Sequence, residues 1–82
     1  MEIKERFEVF HRSDKEVYEL YKRYALFRCE LGNKVVSKLL FEIIREEHGK
    51  TLDNDFTPYY SRRFCRDFPE YKHLFKFRKL KK

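Results

Sequence analysis

The chain has 82 residues, enough for one small domain, with 20 Lys and Arg against 14 Asp and Glu for a net charge of +6. Its 41% apolar and 41% charged residues, with 15 aromatics (9 Phe, 6 Tyr) and only 2 Gly and 2 Pro, predict a folded, helix-rich chain and exclude a disordered or two-domain one. A domain this size buries roughly 60% of its unfolded surface, so a lone core is marginal and dimerisation is expected.

No apolar run approaches ~18 residues, and the N-terminus MEIKERFEVF lacks the apolar stretch of a signal peptide, so a soluble, intracellular protein without membrane partners is expected. Residues 5–11 place polar and apolar side chains alternately from Arg6 to Val9, which predicts a short strand over 6–10. Ser13-Asp14-Lys15-Glu16 fits a capping box, in which Ser13 takes an amide proton of the first turn and Glu16 reaches back. A helix is predicted from about Asp14, with Val17, Leu20, Tyr21, Tyr24, Phe27 and Leu31 as its apolar face. Gly32-Asn33 marks a turn, with Gly32 tolerating a left-handed backbone and Asn33 capping the next helix. That second helix carries a predicted buried stripe of Val36, Leu39, Leu40, Ile43 and Ile44, widened by Val35 and Phe41, and stops at Gly49. A helix so apolar needs partners on more than one side.

Residues 51–55 read as a loop, and Thr57-Pro58 opens a third helix running to about Phe68, where Pro69 stops it. A last short helix is predicted over Glu70 to Arg78, with Tyr71, Leu74 and Phe75 on its apolar side. Eight aromatics between Phe56 and Phe77 are interleaved with basic residues, a pattern that serves either a stacking platform for single strands or a packed core. The helical spacing of Tyr60, Phe64, Phe68 and Tyr71 favours the core. The charge is lopsided: residues 1–57 hold 11 basic and 12 acidic side chains, and residues 58–82 hold 9 basic and 2 acidic. A basic C-terminal segment of this kind suits phosphates on nucleic acid, an anionic lipid surface or simple solubility.

A single strand cannot satisfy its own backbone groups, so the predicted strand requires a second chain, most simply through a two-fold dimer. Strand, capped helix, Gly-turn and apolar helix in this order resemble the ribbon-helix-helix DNA-binding proteins over roughly Arg6 to His48. Gly32-Asn33-Lys34-Val35-Val36-Ser37-Lys38-Leu39 is similar to the family's second-helix start, with lysines at two positions where the family has Ser and Glu. The resemblance implies a mainly α homodimer with an intermolecular two-stranded antiparallel ribbon, a core over 6–48 and one or two extra helices in a basic, aromatic extension over 49–82.

It further implies double-stranded DNA as partner and a role in transcription regulation. The ribbon enters the major groove, and the second helix's N-terminus holds a phosphate. With Phe7 and Val9 inward, Lys4, Arg6, Glu8 and Phe10 face DNA, Arg12 and Lys15 lie beside the ribbon, and Asn33, Lys34 and Val35 supply the phosphate-binding amides. Acidic Glu2, Glu5 and Glu8 near the polyanion predict modest or weakly sequence-specific affinity. Small proteins of archaeal spindle-shaped viruses, which add helices to this motif, are similar too, implying a viral source and a host-cell cytoplasmic location.

The alternative from another class is a helical protein-interaction module, antitoxin-like or a viral adaptor, that grips a protein with its aromatic C-terminal half. No cofactor is expected. Cys29 and Cys65 form no CxxC, and His11, His48 and His73 are scattered without zinc spacing. The two cysteines read as packed thiols or, in a hyperthermophile's cell, as a disulfide. No Ser lies in a nucleophile elbow and no Gly-rich phosphate loop is present, so an enzyme is not expected.

Overall fold

The computed structural model of the chain describes residues 2–75, and every regular element in it is helical. α1 spans Ile3–Ser13, α2 Glu16–Glu30, α3 Ser37–His48 and α4 Thr57–Asp67, with short 3-10 segments at Asn54–Phe56 and Pro69–Leu74. Among the described residues, β-type pairing is limited to one isolated parallel bridge between Val35 and Phe75. No helix there is long and apolar enough to cross a membrane.

The strand expected over 6–10 is therefore the middle of a helix, and the intermolecular ribbon and ribbon-helix-helix dimer built on it are overturned. The physical reason is periodicity. Alternation over four residues is too short to separate a period of 2 from one of 3.6, and Ile3, Phe7, Phe10 and His11 fall on one side of a helix. Phe7 is buried there, its ring stacked on Tyr59 at 5.1 Å and edge-on to Tyr60 at 4.9 Å.

The capping box is not used either. Ser13 closes α1, its hydroxyl donating backward to the Val9 carbonyl at 2.8 Å, and α2 starts at Glu16 without a side-chain cap. The α1–α2 corner is held instead by Lys50, whose Nζ lies 3.0 Å from carboxylate oxygens of both Asp14 and Glu16. At the end of α2, Gly32 takes the left-handed backbone (φ 75°), and the Gly32 and Asn33 amides donate to the Cys29 and Arg28 carbonyls. Asn33 is thus spent on closing α2. α3 begins only at Ser37, behind Val36 at the cap position, and ends at left-handed Gly49.

Before α4, the Asp53 carboxylate accepts the Asp55 amide at 2.8 Å, and Thr57 donates its hydroxyl to the Asn54 carbonyl at 2.9 Å. Pro58 then sits in the first turn of α4, where its missing N–H costs nothing. The last predicted helix is a 3-10 segment that gives way to extended Phe75. The remainder of that expectation, and the basic residues from Lys76 onward, lie outside the described residues.

One hydrophobic cluster runs from Phe7 to Phe75 and takes side chains from all four helices. Tyr60 is at its centre, fully buried, with the rings of Phe7, Tyr18, Tyr21 and Phe41 within 6 Å of its own. Phe56, Tyr60, Phe64 and Phe75 are all buried, so these aromatics are core and offer no stacking platform.

His11 packs against this centre, its ring 5.8 Å from Phe7 and 6.0 Å from Tyr60, with Nδ1 buried and unpartnered among the described residues. Burial, then the nearby Arg63 guanidinium, holds its pKa below the usual 6.5, with Lys15 adding to the effect and Glu8 opposing it. The unfolded chain therefore takes up this proton more readily than the folded one. Stability that is complete above pH ~6.5 is expected to fall as the pH drops from there through the lowered pKa. His11→Phe is expected to flatten this acid loss. Urea midpoints of wild type and variant at pH 7.5, 6 and 5 check it, and parallel curves would show that His11 does not contribute.

Candidate interaction surface on the second and third helices

α2 turns Val17, Leu20, Tyr21, Ala25 and Cys29 into the core, and α3 turns in Leu40, Phe41 and Ile44. The faces read from the sequence are broader than these stripes, and the surplus points outward. Phe27 is 65% exposed, Leu31 62%, Leu39 50%, Val36 48% and Ile43 38%. Phe27 and the C-cap residue Leu31 are one helical turn apart, as are Leu39 and Ile43, so α2 with its cap and α3 each present an apolar pair. A groove of about 200 Å³ lined by Arg28, Leu39, Leu40, Glu42, Ile43 and Glu46 runs where the two helices meet. Val36 and Lys38 rim a second hollow of about 310 Å³ against Thr57, Pro58 and Ser61.

The floor of that second hollow is a chain of hydroxyls. Tyr21 and Ser37 are 2.7 Å apart and Ser37 and Ser61 2.5 Å, and Ser61 donates to the Thr57 carbonyl at 2.9 Å. Burial pushes the Tyr21 phenol up to about 12, against the lowering effect of its two serine partners. Among the described residues, this network is built of hydroxyls and the Thr57 carbonyl. It locks α2, α3 and α4 together at one point and satisfies the polar groups buried there. Cys29 and Cys65 are free, buried thiols, and burial raises both, Cys65 to about 11, which makes them poor nucleophiles. His48 is hydrogen-bonded by Tyr24 at 3.1 Å, and among the described residues no group of His, Cys, Asp and Glu could hold a metal.

The DNA-facing residues expected from the sequence fall into two sets, and no hydrogen bond or ion pair among the described residues joins them. Lys4, Glu8 and Arg12 are exposed at successive turns of α1, and Lys15 is exposed at the start of α2. Arg6 is tied to Asp53 in an ion pair and lies 5.7 Å over the Phe56 ring, while Phe10 packs on Phe56 at 5.3 Å. These side chains do not stand alternately on a ribbon. Asn33, Lys34 and Val35 precede α3 rather than open it. The Asn33 amide is taken by Arg28, the Val35 amide donates to the Leu74 carbonyl at 2.9 Å, and Val35 is buried. The expected phosphate clamp at these amides is corrected accordingly: two of its three donors are already bonded within the chain.

Sequence reasoning placed Phe27 and Leu31 on a broad apolar face and Val36, Leu39 and Ile43 in a buried stripe. The available signal was width, since an apolar face wider than one buried stripe needs a second surface to cover it. Comparison of the chain with known protein families, curated proteins and solved structures finds no match, so the ribbon-helix-helix resemblance has no support there either.

Proposed function

We propose that this chain is a helical protein-interaction module, a binding protein and not a catalyst, and that it docks through the outward side of α2 and α3. The observation that carries this reading is the set of five large apolar side chains left 38 to 65% exposed on α2, α3 and the cap residues Leu31 and Val36 between them. Single exposed apolar residues are ordinary, whereas a clustered set rimmed by charge marks a contact surface. Arg28, Lys38, Glu42 and Glu46 supply that rim. The aromatic C-terminal half, expected from the sequence to grip the partner, instead forms the core on which this surface is mounted.

The test is photo-crosslinking in the source cell. A crosslinking residue at Leu31 or Lys38 is expected to capture a protein, and Ile43→Asp is expected to abolish the adduct while leaving the helical circular dichroism unchanged. Adducts indifferent to Ile43→Asp, or none from either position, would remove the reading.

A second reading, binding of double-stranded DNA in transcription regulation, is favoured by the 9 basic and 2 acidic residues of 58–82. With no ribbon among the described residues, such binding is driven by charge. Its affinity for a random duplex would fall steeply with salt and be nearly blind to sequence. Anisotropy titrations at two salt concentrations, with wild type and a truncation after Phe75, test it, and wild type that fails to bind at low salt would end it.

A further inference from the structure

We infer that the surface on α2 and α3 is a two-fold interface and that its partner is a second copy of this chain, an inference that rests on the interaction reading above. Three observations lead to it. The first is area. The five exposed side chains leave on the order of 500 Å² open, most of the ~800 Å² that each partner gives to a standard-size interface.

The second is charge order along α3. Lys38 stands in its first turn, Glu42 one turn on and Glu46 one turn further, all on one flank of the Leu39–Ile43 face. None of the three forms an ion pair among the described residues.

The third is what a two-fold axis does to this pattern. Set between two antiparallel copies of α3, midway between Leu39 and Ile43, it lays each Leu39 against the partner's Ile43. It also brings like flank to like flank with direction reversed. At 1.5 Å rise per residue, Lys38 then lies level with the gap between the partner's Glu42 and the partner's Glu46, about 3 Å along the axis from each. The symmetry repeats the contact on the other side. The same two-fold sets Glu42 about 3 Å along the helix axis from the partner's Glu42, one like-charge contact against four Lys–Glu contacts, so the face is complementary to itself on balance. Phe27 and Leu31 of α2 would extend the apolar centre from beside the groove.

The experiment is sedimentation of the purified full chain across a concentration series in 0.15 M salt. The expected result is a species of twice 10.3 kDa. Ile43→Asp is expected to weaken the dimer on the order of 100-fold. Because Ile43 is partly exposed, the folded helical spectrum should survive the change.

Two charge variants test the register. Lys38→Glu makes the flank wholly acidic and Glu42→Lys with Glu46→Lys makes it wholly basic, so each alone is expected to dimerise about tenfold more weakly. An equimolar mixture of the two is expected to pair more tightly than wild type at low salt. A chain that stays monomeric throughout, a dimer untouched by Ile43→Asp, or a mixture no tighter than its components would each overturn the inference. A monomeric chain that still crosslinks to a different protein from Leu31 or Lys38 sinks the two-fold dimer alone. A monomeric chain with no such adduct sinks the interaction reading as well.

Discussion

Tyr60→Ala is expected to take away a large share of the folding stability of the protein. The side chain is fully buried and its ring meets Phe7, Tyr18, Tyr21 and Phe41, which arrive from α1, α2 and α3. Truncating such a ring costs about 3–5 kcal/mol in lost transfer energy and cavity. A domain of this size has roughly 4–12 kcal/mol in total. Tyr60→Phe separates the ring from its hydroxyl. The Tyr60 hydroxyl is buried and has no partner among the described residues, so its removal relieves a desolvated polar group. The phenylalanine variant is therefore expected to match or exceed wild type by up to ~1 kcal/mol. Urea midpoints of the three proteins decide the matter. An alanine variant within ~1 kcal/mol of wild type would contradict the central placement of Tyr60, and a phenylalanine variant as weak as alanine would show that its hydroxyl is bonded.

The second large effect is expected from Phe7→Ala. Phe7 is 2% exposed and is the one buried residue of α1, touching Phe56, Tyr59 and Tyr60, with the Arg63 guanidinium 5.9 Å over its ring. What else holds α1 is shallower: the exposed Arg6–Asp53 pair, half-buried Phe10 against Phe56, partly buried Ile3, and the His11 ring edge-on to Tyr18 and Tyr60. An exposed pair of this kind contributes little. The loss is again about 3–5 kcal/mol, but its pattern differs from that of Tyr60. With its anchor gone, α1 is expected to leave the core before the rest opens. Amide exchange should then show α1 unprotected while α2, α3 and α4 remain slow. Retained protection across Ile3–Ser13 would mean that α1 is held by something other than Phe7.

α1 is also where the sequence was hardest to read. Arg6 to Val9 alternates as a strand does, yet the same stretch carries Ile3, Phe7, Phe10 and His11 at helical spacing, and the buried ring of Phe7 decides between them. Ser13-Asp14-Lys15-Glu16 has the composition of a cap, but Ser13 turned its hydroxyl back to Val9 because the preceding residues were already helical. Local chemistry was decisive where it stood alone. Thr57-Pro58 opened α4 within the predicted bounds and Pro69 followed its end, while Gly32 and Gly49 took the left-handed backbone at the ends of α2 and α3.

The candidate surface was legible in composition and not in position. Periodicity marked Phe27, Leu31, Val36, Leu39 and Ile43 as apolar-face residues, and it carries no information about whether the covering surface belongs to the same chain. Ala25 and Cys29, small enough for close helix contact, rotated the buried stripe of α2 away from Phe27 and Leu31. The charge excess of 58–82 led toward nucleic acid, but charge pattern alone does not place a binding face.

The bridge between Val35 and Phe75 has a mechanical consequence. The chain leaves Val35, passes through α3 and α4, and returns beside it, so the bridge closes a loop over two of the four helices. Its two segments run parallel, and tension applied through Glu2 and Phe75 would drag them in opposite directions and load the bridge in shear. Resistance there comes from the hydrogen bond of the Val35 amide to the Leu74 carbonyl and from the ring of Phe75 seated on Phe64. Once those yield, the 3-10 segment is free to peel from α4, and the start of α3 loses the hydrogen bond from the Val35 amide to the Leu74 carbonyl. In a force experiment, rupture of this bridge would let the C-terminal end of the described chain extend as a step of its own.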